Sequence, residues 1–226
     1  MASRPAAGGG RFVDVAPERL ERWLAGFAER HGDVTVKAGS DRVTVTAADG
    51  GVAECHVPFA PLASSDSDGG PDPDSSCAGL IAHAQRQRRV GVLLVRLGGY
   101  AVGVFDGQTL VTSKVGSRQV HGRNSNGGWS QQRYARRRGN QVRDALDETA
   151  DVAARVLAGH RLDGFVTGGD RAALATVLAD PRLRHLSGIT EPRVLDVPDP
   201  KLAVLTATPP LYRAVRVRII DPDPSA

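Results

Sequence analysis

Residues 122–138 read GRNSNGGWSQQRYARRR, and the side chains in this run are those of a surface that meets polyanions. No Asp or Glu occurs between Asp106 and Asp144, whereas that interval holds Lys114, Arg118, Arg123, Arg133, Arg136, Arg137, Arg138 and Arg143, with His121 among them. Lysine is otherwise confined to Lys37 and Lys201, so the arginine total reflects a compositional bias. That bias does not by itself remove acids from the interval, which is therefore a concentrated positive field suited to phosphate backbones. Arg133, Arg136 and Arg137 stand at i, i+3 and i+4 and share one helical face, either a phosphate-binding row or a solvated surface. Gly127 and Gly128 permit close backbone approach. Trp129 is placed either to stack on a nucleobase or to pack against Tyr134. His121 is either a phosphate donor or an inert loop residue. Gln131 and Gln132 are poor bases, but each amide carries a carbonyl and an NH₂ that can orient a water. On local composition alone, the run is an RNA tether or an ordinary solvated loop.

These residues need a scaffold. From Ser130 to Leu157 the pattern is helical, but its apolar stripe starts only at Val142 and continues through Ala145, Leu146, Val152, Ala153, Val156 and Leu157. That stripe packs on a sheet. Before Val142 only Tyr134 and Ala135 interrupt the polar run, so the first turns are expected to project, with the helix N-terminus adding partial positive charge at the tip. Upstream, RVGVLLVRL, YAVGVF and TLVTSKV read as three strands joined at Gly98–Gly99 and at an Asp106–Gly107 turn. Downstream, DGFVTGG reads as a strand and DRAALATVLADPRL as a helix, with Asp170 a plausible N-cap. RVLDV and the alternating RAVRVRII add strands. The expected fold class is α/β, a mixed and partly parallel sheet flanked by helices.

The N-terminal part is expected to form a separate small α+β unit. PERLERWLAGFAERH spaces Leu20, Trp23, Leu24 and Phe27 as on a helix stopped at Gly32, and VTVKAG, RVTVTAADGG and VAECHVPF read as strands. The expected organisation is a flexible tail over 1–10, the α+β unit over 11–62, a disordered acidic linker over 63–77 (ASSDSDGGPDPDSS lies within it), and a main domain over 78–226. That domain carries a projecting loop at 121–132 and the basic helix 130–157.

The 226 residues carry 29 Lys and Arg against 25 Asp and Glu, a net charge of +4 that points weakly to nucleic acid. No apolar run approaches the roughly 20 residues that span a bilayer, and MASRPAAGGGR lacks a secretory apolar core, so no membrane partner and a cytoplasmic location are expected. The two cysteines, Cys55 and Cys77, form no CxxC, so neither a disulfide framework nor a zinc site is expected. Nothing demands a dimer.

The run GRNSNGGWSQQRYARRR, with a hairpin before it and an amphipathic helix after it, resembles the catalytic loop of the Vms-like release factor (VLRF) family. The likeness extends over roughly 78–220 and is to a bacterial, actinobacterial-type member. That family is in turn similar to the central domain of archaeal and eukaryotic class I peptide-chain release factors. The resemblance implies a release-factor-like α/β domain that cleaves the ester of peptidyl-tRNA on the large ribosomal subunit, in rescue or quality control. It implies no cofactor or metal, the large-subunit rRNA at the peptidyl-transferase centre and peptidyl-tRNA as partners, and a monomer off the ribosome. The family's Gly-x-x-Gln motif maps onto Gly128-Trp129-Ser130-Gln131, with Gly127 a second glycine and Gln132 adjoining, so the catalytic register is Gln131 or Gln132. The implied RNA contacts are Arg118, His121, Arg123, Trp129, Arg133, Arg136, Arg137 and Arg138. In such a site the glutamine places water, its backbone N–H donates to developing negative charge, and proton transfer is left to the ribosome and the tRNA 2′-hydroxyl.

Two alternatives stand beside this one. The protein is a non-catalytic ribosome- or RNA-binding module, or Asp106, Asp163, Asp170 and Asp199, near expected strand ends, serve a metal-dependent RNase. The latter four read more simply as turn and cap residues. FVTGGDRAAL has the look of a phosphate-binding turn but lacks the Lys-Ser/Thr of a P-loop and the third glycine of a dinucleotide fingerprint, so it is assigned to architecture.

Overall fold

In the computed structural model, the structure describes residues 4–6, 8–62, 73–96, 98–117 and 130–222, with the backbone alone described at 73–76 and 130–140. The elements in chain order are β1 (Arg4–Pro5), β2 (Arg11–Val15), α1 (Leu20–His31), β3 (Val34–Ala38), β4 (Arg42–Ala47), β5 (Val52–His56), α2 (Pro73–Gln85), β6 (Arg89–Arg96), β7 (Gly99–Asp106), β8 (Thr109–Ser117) and α3 (Ser130–Leu157). Then follow β9 (Gly164–Gly169), α4 (Arg171–Leu178), a 3-10 segment (Pro181–Ile189), β10 (Thr190–Leu195), α5 (Leu202–Thr206), α6 (Pro209–Arg213) and β11 (Val215–Ile220). The chain divides into two units, 1–86 with 210–226, and 87–209.

The first unit is an α+β layer pair. Its sheet runs β1-β2-β11-β5-β4-β3 and its described ladders are antiparallel. Period-2 alternation sends Val13, Val15, Val43, Val45, Ala53, Cys55, Val215 and Val217 to one face. There they meet Leu20 and Phe27 of α1 and Leu80 and Ala84 of α2 in a single core. A buried leucine or phenylalanine contributes roughly 1.5–3 kcal/mol, so this row of side chains holds the helices on the sheet. Gly32 ends α1 with φ +84°, a conformation few other residues adopt. Burial raises the Cys55 thiol to about 12, which leaves it an inert core residue.

The organisation differs from the sequence expectation at the C-terminal end of the linker and in the placement of the last strand. Residues 73–77, read as part of the acidic linker, begin helix α2; residues 63–72 lie outside the described residues. The closing strand β11, read as part of a 78–226 domain, pairs with β2 and β5 inside the first sheet. Arg213 reaches Glu18 at 2.7 Å in the same unit. Alternation identifies a strand but not its neighbour, and the partners of β11 lie on the other side of the whole 87–209 segment. At the N-terminus, Arg4–Pro5 pair with β2 rather than forming a tail throughout.

The second unit is the expected α/β layer. Its sheet runs β10-β9-β6-β7-β8, parallel between β10, β9 and β6 and antiparallel through the β6-β7-β8 hairpins. Helices α3 and α4 share a core with Leu93, Val95, Val102, Val104 and Phe165. On the opposite face Leu205 of α5 comes against Gly103, where an added Cβ would lie 3.0 Å from the leucine. Among the described residues, no helix is long and apolar enough to cross a membrane.

Candidate functional site

The residues singled out above follow the β7–β8 hairpin in the chain and run into helix α3. In the hairpin, Gly99 pairs with Ser117 and Tyr100 with Gly116, and β8 ends at Ser117. Arg118, His121, Arg123, Gly127, Gly128 and Trp129 lie outside the described residues. Gln131, Gln132, Arg133, Arg136, Arg137 and Arg138 fall within the first turns of α3, whose backbone starts at Ser130. The two glutamines are thus the second and third residues of the helix. The first four N–H groups of any α-helix have no intrahelical acceptor, so the backbone N–H groups of Gln131 and Gln132 belong to the set that is left for other acceptors. They also sit at the positive end of the helix dipole.

The rest of α3 is anchored. The helix has 28 residues, about 42 Å at 1.5 Å per residue. Arg143 and Asp144 are exposed, Val142, Ala145 and Leu146 are partly covered, and Thr149, Ala150, Val152, Ala153 and Leu157 are buried. Thr149 Oγ1 donates to the Ala145 carbonyl at 2.7 Å, which satisfies that buried hydroxyl inside the helix. Arg182 bridges Asp151 of α3 at 2.6 Å and Asp180 at 2.7 Å, tying the helix to the 3-10 segment. Hydrogen bonds from the Arg182 side chain and backbone hold the Asp180 carboxyl at about 2.

Where α3 meets the end of the hairpin there is a cavity of about 200 Å³, bordered by Arg96, Tyr100, Ser117, Leu146, Glu148 and Thr149 among others. Its floor depends on Tyr100, a buried ring lying directly over Gly116, where an added Cβ would fall 2.5 Å from ring carbons. Burial, followed by the nearby Glu148, raises the Tyr100 phenol, so it remains a neutral donor. Gly116→Ala is expected to push the ring aside and lower stability by about 1–3 kcal/mol, read as a fall in urea midpoint at unchanged slope. An unchanged midpoint would show that the ring has room to move. Sequence reading did not single out this pair; an aromatic facing a glycine across a hairpin was its only trace.

The carboxylates of the nuclease alternative do not converge. Asp106 Oδ2 pairs with the Arg89 guanidinium at 2.8 Å, and Asp163 Oδ2 accepts from the Arg89 backbone N–H at 2.7 Å. Asp170 caps α4, accepting from the Ala173 N–H at 2.9 Å, and Asp199 is exposed in a loop. Among the described residues, no three His, Cys, Asp or Glu side chains gather as a metal site. The glycine turn before α4 is filled by protein. An added Cβ at Gly169 (φ +100°) would fall within 2.1 Å of the Val95 carbonyl oxygen, and the Asp170 N–H donates to that same oxygen at 2.8 Å. Asp170→Ala is expected to cost about 1 kcal/mol through the lost cap. A melting curve checks this; a loss of several kcal/mol would mean the carboxylate does more than cap.

The described geometry is that of an α/β layer in which a long helix packs beside a strand hairpin. The chain belongs to the actinobacterial and chloroflexi VLRF1 release factor family, whose model matches residues 88–218. Solved structures similar to the chain include a Vms1 mitochondrial localization core, at 10% identity and TM-score 0.40, covering 91% of this chain and 82% of that one. The archaeal translation termination factor aRF1 is similar at 14% identity and TM-score 0.37, covering 86% and 61%. A structure described as an archaeal protein is similar at 16% identity and TM-score 0.35, covering 74% and 52%. The chain thus spans about half to three-fifths of the latter two. No curated protein sequence matches it.

Proposed function

We propose that this protein is a cytoplasmic peptidyl-tRNA hydrolase that acts on the large ribosomal subunit and releases nascent chains from stalled complexes. The observation that carries the proposal is the start of α3 at Ser130, inside the family-matched segment. It puts the glutamine of the Gly-x-x-Gln run at a helix N-terminus, with its backbone N–H among those left for an outside acceptor. In this reading residues 121–132 form the tip, entering the peptidyl-transferase centre. Gln131 or Gln132 orients a water with its amide, and the backbone N–H donates to the charge that develops as the ester is attacked. Gly127 and Gly128 keep side chains out of the way. The proton goes to ribosomal groups and the tRNA 2′-hydroxyl, so the tip needs no Asp, Glu or Ser–His pair. Arg118, His121, Arg123, Trp129, Arg133, Arg136, Arg137 and Arg138 hold rRNA and the tRNA acceptor end, and the factor is a monomer off the ribosome with no cofactor.

A purely tethering role is the second reading, favoured by the acid-free interval from Asp106 to Asp144, which serves phosphate binding whether or not chemistry follows. Incubating the protein with large-subunit–peptidyl-tRNA complexes and resolving the tRNA on a gel separates the two. The hydrolase gives intact deacylated tRNA, and a tether leaves peptidyl-tRNA unchanged. Shortened RNA would point instead to a nuclease.

A further inference from the structure

The first unit carries a second surface with its own chemistry. Its helices pack on one face of the six-stranded sheet, and the alternate residues of each strand form the other. Along that face Asp14, Arg216, His56 and Arg42 make one cross-strand row. Phe12, Arg218, Glu54, Thr44 and Lys37 make the next. The two rows hold four cations against two carboxylates. One carboxylate, Glu54, lies between Arg42 at 3.2 Å and Arg218 at 3.4 Å, which orients both guanidiniums while leaving most of their N–H groups unused by it. Arg218 also donates to the Gly8 and Gly9 carbonyls at 2.7 and 3.0 Å. Arg42 is the more open of the two, with its side chain 42% exposed.

Planar groups sit among these charges. The Arg216 guanidinium lies 4.3 Å from the centre of the Phe12 ring, and the His56 ring is 6.0 Å from the same ring. Burial, then the neighbouring Arg42, lowers the His56 pKa, so the imidazole is neutral near pH 7 and adds an uncharged ring. This half-buried sheet face sets aromatic rings beside cations, which suits unpaired nucleotides, whose bases stack on rings and guanidinium planes while phosphates meet the flanking charges. A run of Asp and Glu would use the cations but offers no aromatic ring for Phe12 and His56.

We infer that the face of the first sheet opposite α1 and α2 binds an unpaired RNA strand, with Phe12, Arg216 and His56 as the stacking platform and Arg42 and Lys37 as phosphate contacts. This site is built from residues of the first unit alone and does not rest on ester cleavage. The test uses the full chain with Arg133, Arg136 and Arg137 replaced by alanine, so that the tip does not dominate binding. A ten-nucleotide oligouridylate containing one 2-aminopurine is titrated at about 0.1 M salt, reading anisotropy and 2-aminopurine quenching. Phe12→Leu, which keeps an apolar side chain but no ring, is expected to weaken binding about 10-fold and abolish the quenching. Arg42→Gln is expected to weaken it about 5-fold and reduce the log–log salt slope by about 0.7. Melting curves confirm that both variants are folded. Wild-type-like binding and quenching in both folded variants overturns the inference. So does equal competition by oligoglutamate, which would assign the face to an acidic protein. Because peptide release is assayed separately through Gln131 and Gln132, failure of this site leaves the proposed hydrolysis standing, and the reverse also holds.

Discussion

Gln131→Ala is expected to reduce the rate of nascent-chain release, at saturating factor, by about 100- to 1,000-fold, the usual cost of removing one well-placed polar group from a positioning site. The backbone N–H survives the substitution, so the loss reports on the side-chain amide and on the water it would orient. Binding is expected to change little, because an uncharged amide adds little to an interface dominated by phosphate contacts. The effect should therefore appear in the saturated rate and leave half-saturation almost unmoved, as for an interaction made only in the transition state. Gln132→Ala serves as the register test. The two glutamines are successive residues of α3, and successive helical positions point about 100° apart, so one variant is expected to lose activity and the other to stay within a few-fold. Full release activity in both variants would remove glutamine from the mechanism.

The second large effect is expected in binding. Replacing Arg133, Arg136 and Arg137 together by alanine should weaken association with large subunits by about 100- to 500-fold at about 0.1 M salt, since three phosphate contacts carry a combined log–log salt slope of about 2 to 3. The slope is the more diagnostic quantity. It should fall by that amount in the variant, and the saturated release rate should stay near wild type. Folding should not suffer, because alanine is the best helix former and the buried part of α3 lies further on, from Thr149 to Leu157. An unaltered slope would make these arginines a solvated helix face, the alternative their spacing left open.

Much of the scaffold could be read from local pattern. The anchored part of α3, from Val142 to Leu157, follows from helical periodicity, and β6, β7 and β8 follow from apolar runs separated by glycine turns. Pro73–Gln85 escaped because its opening residues, Pro-Asp-Ser-Ser, continue an acidic low-complexity run, and only Leu80 and Ala84 of its later turns are fully buried. Membership of the first sheet escaped for a different reason: β11 alternates like any strand, and nothing local says that Val217 lies between Val13 and Cys55. The candidate tip was legible as residue types and spacing; residues 121–129 of it fall outside the described residues. The second surface was illegible in principle. Phe12, His56 and Arg216 are ordinary alternate positions on three strands, and only the fold brings them together.

The nesting of one unit inside the other has a bearing on how this protein comes into being. The strand β11, which lies between β2 and β5, is synthesised after the whole of 87–209, so the first sheet cannot close until that unit has been made. The inserted unit holds all of its own strands and is free to mature while the chain is still growing. A chain cut short before β11 would lack the strand that joins β2 to β5.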